Sequence, residues 1–191
     1  NSIHHVETAE NRIFAASTSG ILVYDVQDQS LHTYSKLNGL SNTGISCLKH
    51  DAERNQLLVG YNNGDVDIIG DNTVTNFNRL RNAEVIAEKT INHISIHDDL
   101  AYLSTGYGVV IFDLQQLEIK ETWRDLGPSG ETLAVFETTF LNDSIYLASA
   151  NGVLAGNIND NLLDFNNWKR FNSEPFSGRV EAIATFNNKI F

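Results

Sequence analysis

The sequence predicts an all-β fold, a β-propeller, and three observations carry that prediction. A repeat of 44 residues runs through the chain; one strand of each repeat is apolar on both faces; and each of those strands ends in a tight turn closed by glycine. Four glycines, Gly20, Gly64, Gly108 and Gly152, recur at the 44-residue spacing without a gap. Six residues before each stands a large apolar side chain: Phe14, Leu58, Tyr102 and Tyr146. Four residues before each stands a small one: Ala16, Gly60, Ser104 and Ala148. Helical repeats of similar length would need apolar stripes at i, i+3 and i+4, and the chain has none of useful length.

Each unit opens on a strand, expected over Ile3–Thr8, Ile45–Lys49, Ile91–Ile96 and Val135–Phe140. The strand before each glycine comes next. Side chains alternate across a strand, and here both parities are apolar: Ile13 and Ala15 as well as Phe14, Leu57 and Val59 as well as Leu58. Such a strand is buried between two sheets, as the inner strands of a blade are. The recurrent small residue suits the crowded axis where blades converge. The turn then closes on Ser19-Gly20, Asn63-Gly64, Tyr107-Gly108 or Asn151-Gly152, with glycine expected to supply a positive φ. A further strand follows (Ile21–Asp25, Asp65–Ile69, Val109–Asp113), then an amphipathic outer strand ending near Tyr34, Phe77, Trp123 or Trp168. These aromatics recur by repeat position, as Tyr24 and Phe112 also do, and read as core. The only candidate helix, Asn82–Lys89, reads as a loop because Thr90 and Ile91 soon restore strand character.

Val180–Phe191 aligns with Ile3–Phe14, so the chain starts and stops at the same point of the unit. The expected architecture is four complete four-stranded blades (roughly 2–43, 44–90, 91–135 and 136–179) plus the start of a fifth at 180–191, in one partial domain over 1–191. That is a truncated piece of a larger, about seven-bladed propeller, on the order of 300 residues at this period, left as an open arc.

Composition narrows the partners. Thirteen basic and 24 acidic residues give a net charge of −11, which disfavours nucleic acid because phosphate binding needs clustered Lys and Arg. No apolar run reaches the eighteen or so residues of a membrane span, so no direct insertion is expected. The chain begins without Met or a basic-then-apolar leader; an exported parent is expected to have lost its signal peptide already. Cys47 lies in the apolar run Ile45–Leu48 and reads as a buried small hydrophobe.

No catalytic site or cofactor is expected. His4, His5, His32, His50, His93 and His97 lack companions at metal-ligand spacing. Asp65 and Asp67 share one strand face and read as exposed carboxylates beside a hairpin, with paired acids or a cation site as the alternative. His97-Asp98-Asp99 and Asp71-Asn72 read as turns. There is no G-x-S-x-G elbow, phosphate loop or dinucleotide fingerprint. Recognition in propellers uses loops at one end, and the candidates are Lys36–Thr43, Arg79–Lys89 and Asp125–Thr132. The first two carry Lys36, Arg79, Arg81 and Lys89, rare positive charges on an acidic chain.

Several segments resemble a known family. Asn38–Ser46 (N-G-L-S-N-T-G-I-S) followed by Leu57–Ile69 resembles the propeller repeats of periplasmic two-component sensors. The resemblance is closer to the amino-terminal propeller of the PorZ component of the type IX secretion system. Lys89–Ile94, Ala101–Leu114, Glu118–Trp123 and Asn161–Trp168 carry it. The sensor pattern is clear only in the second repeat. The resemblance implies a non-enzymatic scaffold, exported to the outer-membrane surface, with partners in the attachment complex that includes a sortase-like component. It also implies a part in presenting anionic lipopolysaccharide, through the full-length protein. The sensor alternative implies a periplasmic ligand-sensing domain. Asp143-Ser144-Ile145 fits an O-glycosylation pattern of bacteria with this secretion system, which makes Ser144 an expected modification site on a hairpin turn.

Overall fold

Strands with both faces apolar must be covered twice, and the chain answers with four antiparallel meanders. The computed structural model describes residues 2–70, 73–82, 84 and 87–191. Its first sheet is β1 (His5–Ala9), β2 (Arg12–Ser17), β3 (Gly20–Asp25) and β4 (Leu31–Ser35). The second is β5 (Ile45–Asp51), β6 (Gln56–Tyr61), β7 (Val66–Ile69) and β8 (Val74–Phe77). The third is β9 (Ile91–His97), β10 (Leu100–Thr105), β11 (Gly108–Asp113) and β12 (Glu118–Trp123). The fourth is β13 (Val135–Leu141), β14 (Ser144–Ser149), β15 (Gly152–Asn157) and the short β16 (Lys169–Phe171). A hairpin, β17 (Thr185–Phe186) and β18 (Lys189–Ile190), begins a fifth sheet. Contacts divide the chain into two units, Asn1–Ile91 and Asn92–Phe191.

In the first unit, Phe14, Ile21 and Val23 of the first sheet pack on Leu48, Leu57, Val59 and Ile69 of the second. Each such side chain contributes roughly 1.5–3 kcal/mol by leaving water. The opening strands β1 and β5 are tied through Glu7: its Oε1 accepts the backbone N–H of His50 at 3.0 Å and meets Lys49 Nζ at 3.2 Å. The small-residue position is as crowded as its size predicts. A Cβ on Gly60 would lie 2.7 Å from Cys47 Sγ and 2.9 Å from Ile91 Cβ.

Cys47 is buried, and burial pushes its thiol up to about 12. A thiol without thiolate is not a nucleophile. Ellman's reagent should therefore find no reactive thiol in the native chain and one after denaturation; a fast native reaction would contradict this packing.

In the second unit, Tyr102, Val109, Ile111 and Trp123 pack on Leu147, Leu154, Leu162 and Trp168. The two indoles meet edge to face at 5.5 Å. Trp168 follows a single 3₁₀ turn at Phe165–Asn167 and donates its Nε1–H to the Leu162 carbonyl at 3.0 Å. The tie seen at Glu7 recurs here. Glu137 Oε2 accepts the backbone N–H of Ile183 at 3.0 Å, while Oε1 faces His93 Nε2 at 3.5 Å. Burial holds the Glu137 carboxyl above its usual range, against the lowering effect of that backbone bond.

Three expectations need correction. Gly20 does not have the positive φ found at Gly64, Gly108 and Gly152. Its need is space: a Cβ there would sit 2.7 Å from the Tyr34 carbonyl oxygen. The third strand of the second sheet, β7, starts at Val66 rather than Asp65, because Asp65 still belongs to the turn, its N–H held by Asn63 Oδ1. Asp65 and Asp67 are not exposed; both are fully buried. Of the loop expected at 82–89, Ala83, Val85 and Ile86 lie outside the described residues, as do Asp71 and Asn72 of the expected turn. The turn at Asp98-Asp99 forms, with Asp98 at φ 52°.

Candidate functional site

The glycine-closed hairpin of the second sheet meets Asn42 of the loop 36–43 and Arg81 of the loop 79–89. Two buried aspartates hold both loops down on it. Asp65 and Asp67 leave the β6–β7 hairpin at positions that are apolar in the other repeats, so their carboxylates enter the core beside the loop ends. A buried carboxylate needs donors to replace water. Asp67 has three: Tyr61 Oη–H at 2.6 Å, the Ser41 backbone N–H at 2.8 Å and Asn76 Nδ2 at 2.8 Å. Burial and the neighbouring Asp67 acceptor push the Tyr61 hydroxyl far above its ordinary range, so it serves only as a proton-bearing donor. Asp65 Oδ2 takes Asn42 Nδ2 at 3.0 Å, Asn63 Nδ2 at 3.0 Å and Arg81 Nη1 at 2.9 Å.

The loop carrying Lys36 is fixed twice. Leu40 inserts into the core, and Asn38 closes the turn. Asn38 Oδ1 accepts the Ser35 N–H at 2.6 Å, while its Nδ2 donates to the Thr33 carbonyl at 2.6 Å. Leu37 and Lys36 are left exposed on this hydrogen-bonded turn. In the second loop Leu80 is buried, and Lys89 Nζ donates to the Arg81 carbonyl at 2.8 Å. Thr90 Oγ1 donates to the Asn62 carbonyl at 3.1 Å.

The four cations expected as a binding surface therefore separate. Arg81 and Lys89 come together and are spent on the protein itself, as a latch on Asp65 and a brace under it. Lys36 and Arg79 stay exposed, and among the described residues neither has a carboxylate within 4.0 Å. What reading by residue type missed is Tyr61 and the burial of the two aspartates beneath the loops. No group of three or more His, Cys, Asp or Glu side chains converges on a common point among the described residues.

In the second unit the loop 125–132 is also pinned. Arg170 donates to the carbonyls of Leu126 at 2.5 Å and Gly127 at 2.9 Å, and Leu126 and Leu133 are buried. Ser144 stands as the first residue of β14, immediately after the turn at Asn142-Asp143, half-buried with Ile145 behind it in the core.

A family profile for the N-terminal β-propeller domain of PorZ, a component of the type IX secretion system, matches residues 13–169. The chain belongs to this family. Among solved structures, PorZ of Porphyromonas gingivalis superposes with a TM-score of 0.83 at 21% identity, covering 98% of this chain and 25% of that one. The extracellular domain of a putative one-component system of Bacteroides thetaiotaomicron, BT4673, gives 0.72 at 20% identity, covering 97% and 25%. A second sensor extracellular domain of that organism, BT3049, gives 0.70 at 16%, covering 100% and 25%. No curated protein matches the sequence. The chain thus spans about a quarter of the solved PorZ and sensor chains it matches, and at these identities the likeness establishes the fold: a partial β-propeller of the PorZ type, four blades and the first hairpin of another. Among the described residues no helix is long and apolar enough to cross a membrane.

Proposed function

We propose that this PorZ-type propeller is a non-enzymatic binding scaffold, part of an exported cell-surface protein of the type IX secretion attachment complex. In that role it assists the joining of cargo to anionic lipopolysaccharide. The solved PorZ is described as an essential bacterial surface component of that system. The observation that carries the reading is that Ser41 and Arg81, one from each loop, are bonded to the buried aspartates of the second blade, with Lys36 and Arg79 left unspent at the surface. Loop residues already held by hydrogen bonds lose less entropy on binding, and two unpaired cations on a chain of net charge −11 can offer the local attraction that the whole surface denies. We take the chain as one partial propeller domain.

The test uses the full-length surface protein. Affinity purification from cells should recover the sortase-like component and anionic lipopolysaccharide. The K36E/R79E variant should recover about tenfold less lipopolysaccharide, with a weaker salt dependence. Equal recovery in the variant would remove these residues from the contact. A second reading, a periplasmic ligand-sensing propeller of a hybrid two-component regulator, is supported by the superposition on the BT4673 and BT3049 domains. Absence of the protein from the cell surface, with neither partner recovered, would favour it.

A further inference from the structure

At the opposite end of the first unit from its glycine hairpins, the first and second blades leave a cleft of about 80 Å³. Arg12, at the start of β2, reaches across it and donates from Nη2 to Asn55 Oδ1 at 2.6 Å. Its guanidinium lies 5.6 Å from the centre of the Phe14 ring. His50 enters from β5 and stacks on the same ring, with centroids 6.4 Å apart and planes 18° from parallel. Leu57, Ile69, Tyr34 and Gly70 make the remaining wall.

Two features are unexplained by packing. No carboxylate among the described residues pairs with Arg12, although 24 of the 191 residues are Asp or Glu. The His50 Nε2 is buried without a hydrogen-bond partner. A buried ring nitrogen without a partner is unfavourable, so a ligand that supplies one is favoured. A half-turn of the imidazole exchanges Nε2 with Cε1 at nearly constant shape, which lets the ring present its N–H to a group in the cleft. Arg12 has four further N–H donors beyond the one spent on Asn55.

We propose that the cleft takes a small carboxylate bearing a short apolar group. Planar, bidentate oxygens suit the Arg12 fork and an imidazole N–H. The apolar end suits the Phe14, Leu57 and Ile69 wall, and the volume admits a group of two to four carbons. A phosphate would fill the space with oxygens against that wall and find too few donors.

The experiment is an NMR titration of the folded chain, following the His50 imidazole, with acetate, propionate and inorganic phosphate as probes. Saturable His50 shifts are expected with acetate and propionate, and propionate should bind the more tightly. R12Q should weaken both about tenfold or more, and H50F, followed through the backbone amides of Phe14 and Leu57 instead of the imidazole, should abolish the difference between carboxylate and phosphate while leaving the amide spectrum dispersed. Tighter binding of phosphate than of either carboxylate would overturn the ligand class. No shift at 100-fold excess over protein, or an unchanged response in R12Q, would overturn the site. Asp71 follows Gly70 of the cleft in sequence, so D71N completes the set: acetate binding seen only in that variant would mean the chain supplies its own carboxylate and would also overturn the proposal.

Discussion

Replacing Asp67 by alanine is expected to destabilise the first unit by about 3 kcal/mol. Three donors lose their acceptor at once: the Tyr61 hydroxyl, the Ser41 N–H and the Asn76 amide. The Tyr61 hydroxyl is fully buried, and left unmatched it costs about 1–3 kcal/mol, while the donors of the exposed residues Ser41 and Asn76 can turn to water at a smaller cost. The full sum is not reached, because removing the carboxylate also removes the cost of burying it. Both tryptophans, Trp123 and Trp168, lie in the second unit, so tryptophan fluorescence does not read this change. Urea titration followed by far-UV circular dichroism gives the size of the loss. Hydrogen exchange gives its place: the Ser41 amide should lose protection first and residues 40–43 with it. D67N keeps the volume and one acceptor and should cost less than D67A. A loss under about 1 kcal/mol in D67A would show that the loop does not depend on this carboxylate.

Gly108→Val carries the second large effect. The residue sits at φ 125°, where L side chains are strained, and a Cβ there would lie 2.0 Å from the Trp123 carbonyl oxygen and 2.9 Å from Arg124 Cα. Both neighbours are backbone, so neither can turn aside. Strain of about 1–3 kcal/mol adds to overpacking of about 1–3 kcal/mol, and we expect a loss near 4 kcal/mol. Its mark is local: the β11–β12 pairing from Val109 to Trp123 opens, and Trp123 emission shifts toward that of exposed indole. Gly20→Ala is the milder companion, since its φ is ordinary and only the Tyr34 carbonyl is in the way. Wild-type stability in G108V would mean the hairpin has another turn available.

The fold was legible because the same features recur four times, and each copy corrects the noise of the others. The strand before each glycine is apolar on both parities, and the buried Phe14, Leu58, Tyr102 and Leu103 of the structure follow from that pattern alone. The same repeat held the signal for Asp65. It occupies the position of Ile21, Val109 and Val153, all buried, so position argued for burial while residue type argued for exposure. Position prevailed because neighbouring loops supplied donors. Which loop cation would do so was not legible. Arg79, Arg81 and Lys89 differ by the direction each side chain takes from an irregular backbone, and no periodicity governs that. The cleft at Arg12 was invisible for a similar reason: Arg12, His50 and Asn55 come from separate strands and turns and share no spacing.

The joints at Glu7 and Glu137 bear on how such an array can grow. In each, a side chain of one blade grips the main chain of the next, at His50 N and at Ile183 N. A main-chain N–H is present whatever residue carries it, proline excepted. The receiving blade can therefore change its side chains at that point without losing the joint, and one carboxylate serves for imidazole and aliphatic neighbours alike. Duplicated units joined this way can drift apart in sequence while their order in the chain still dictates which one follows which.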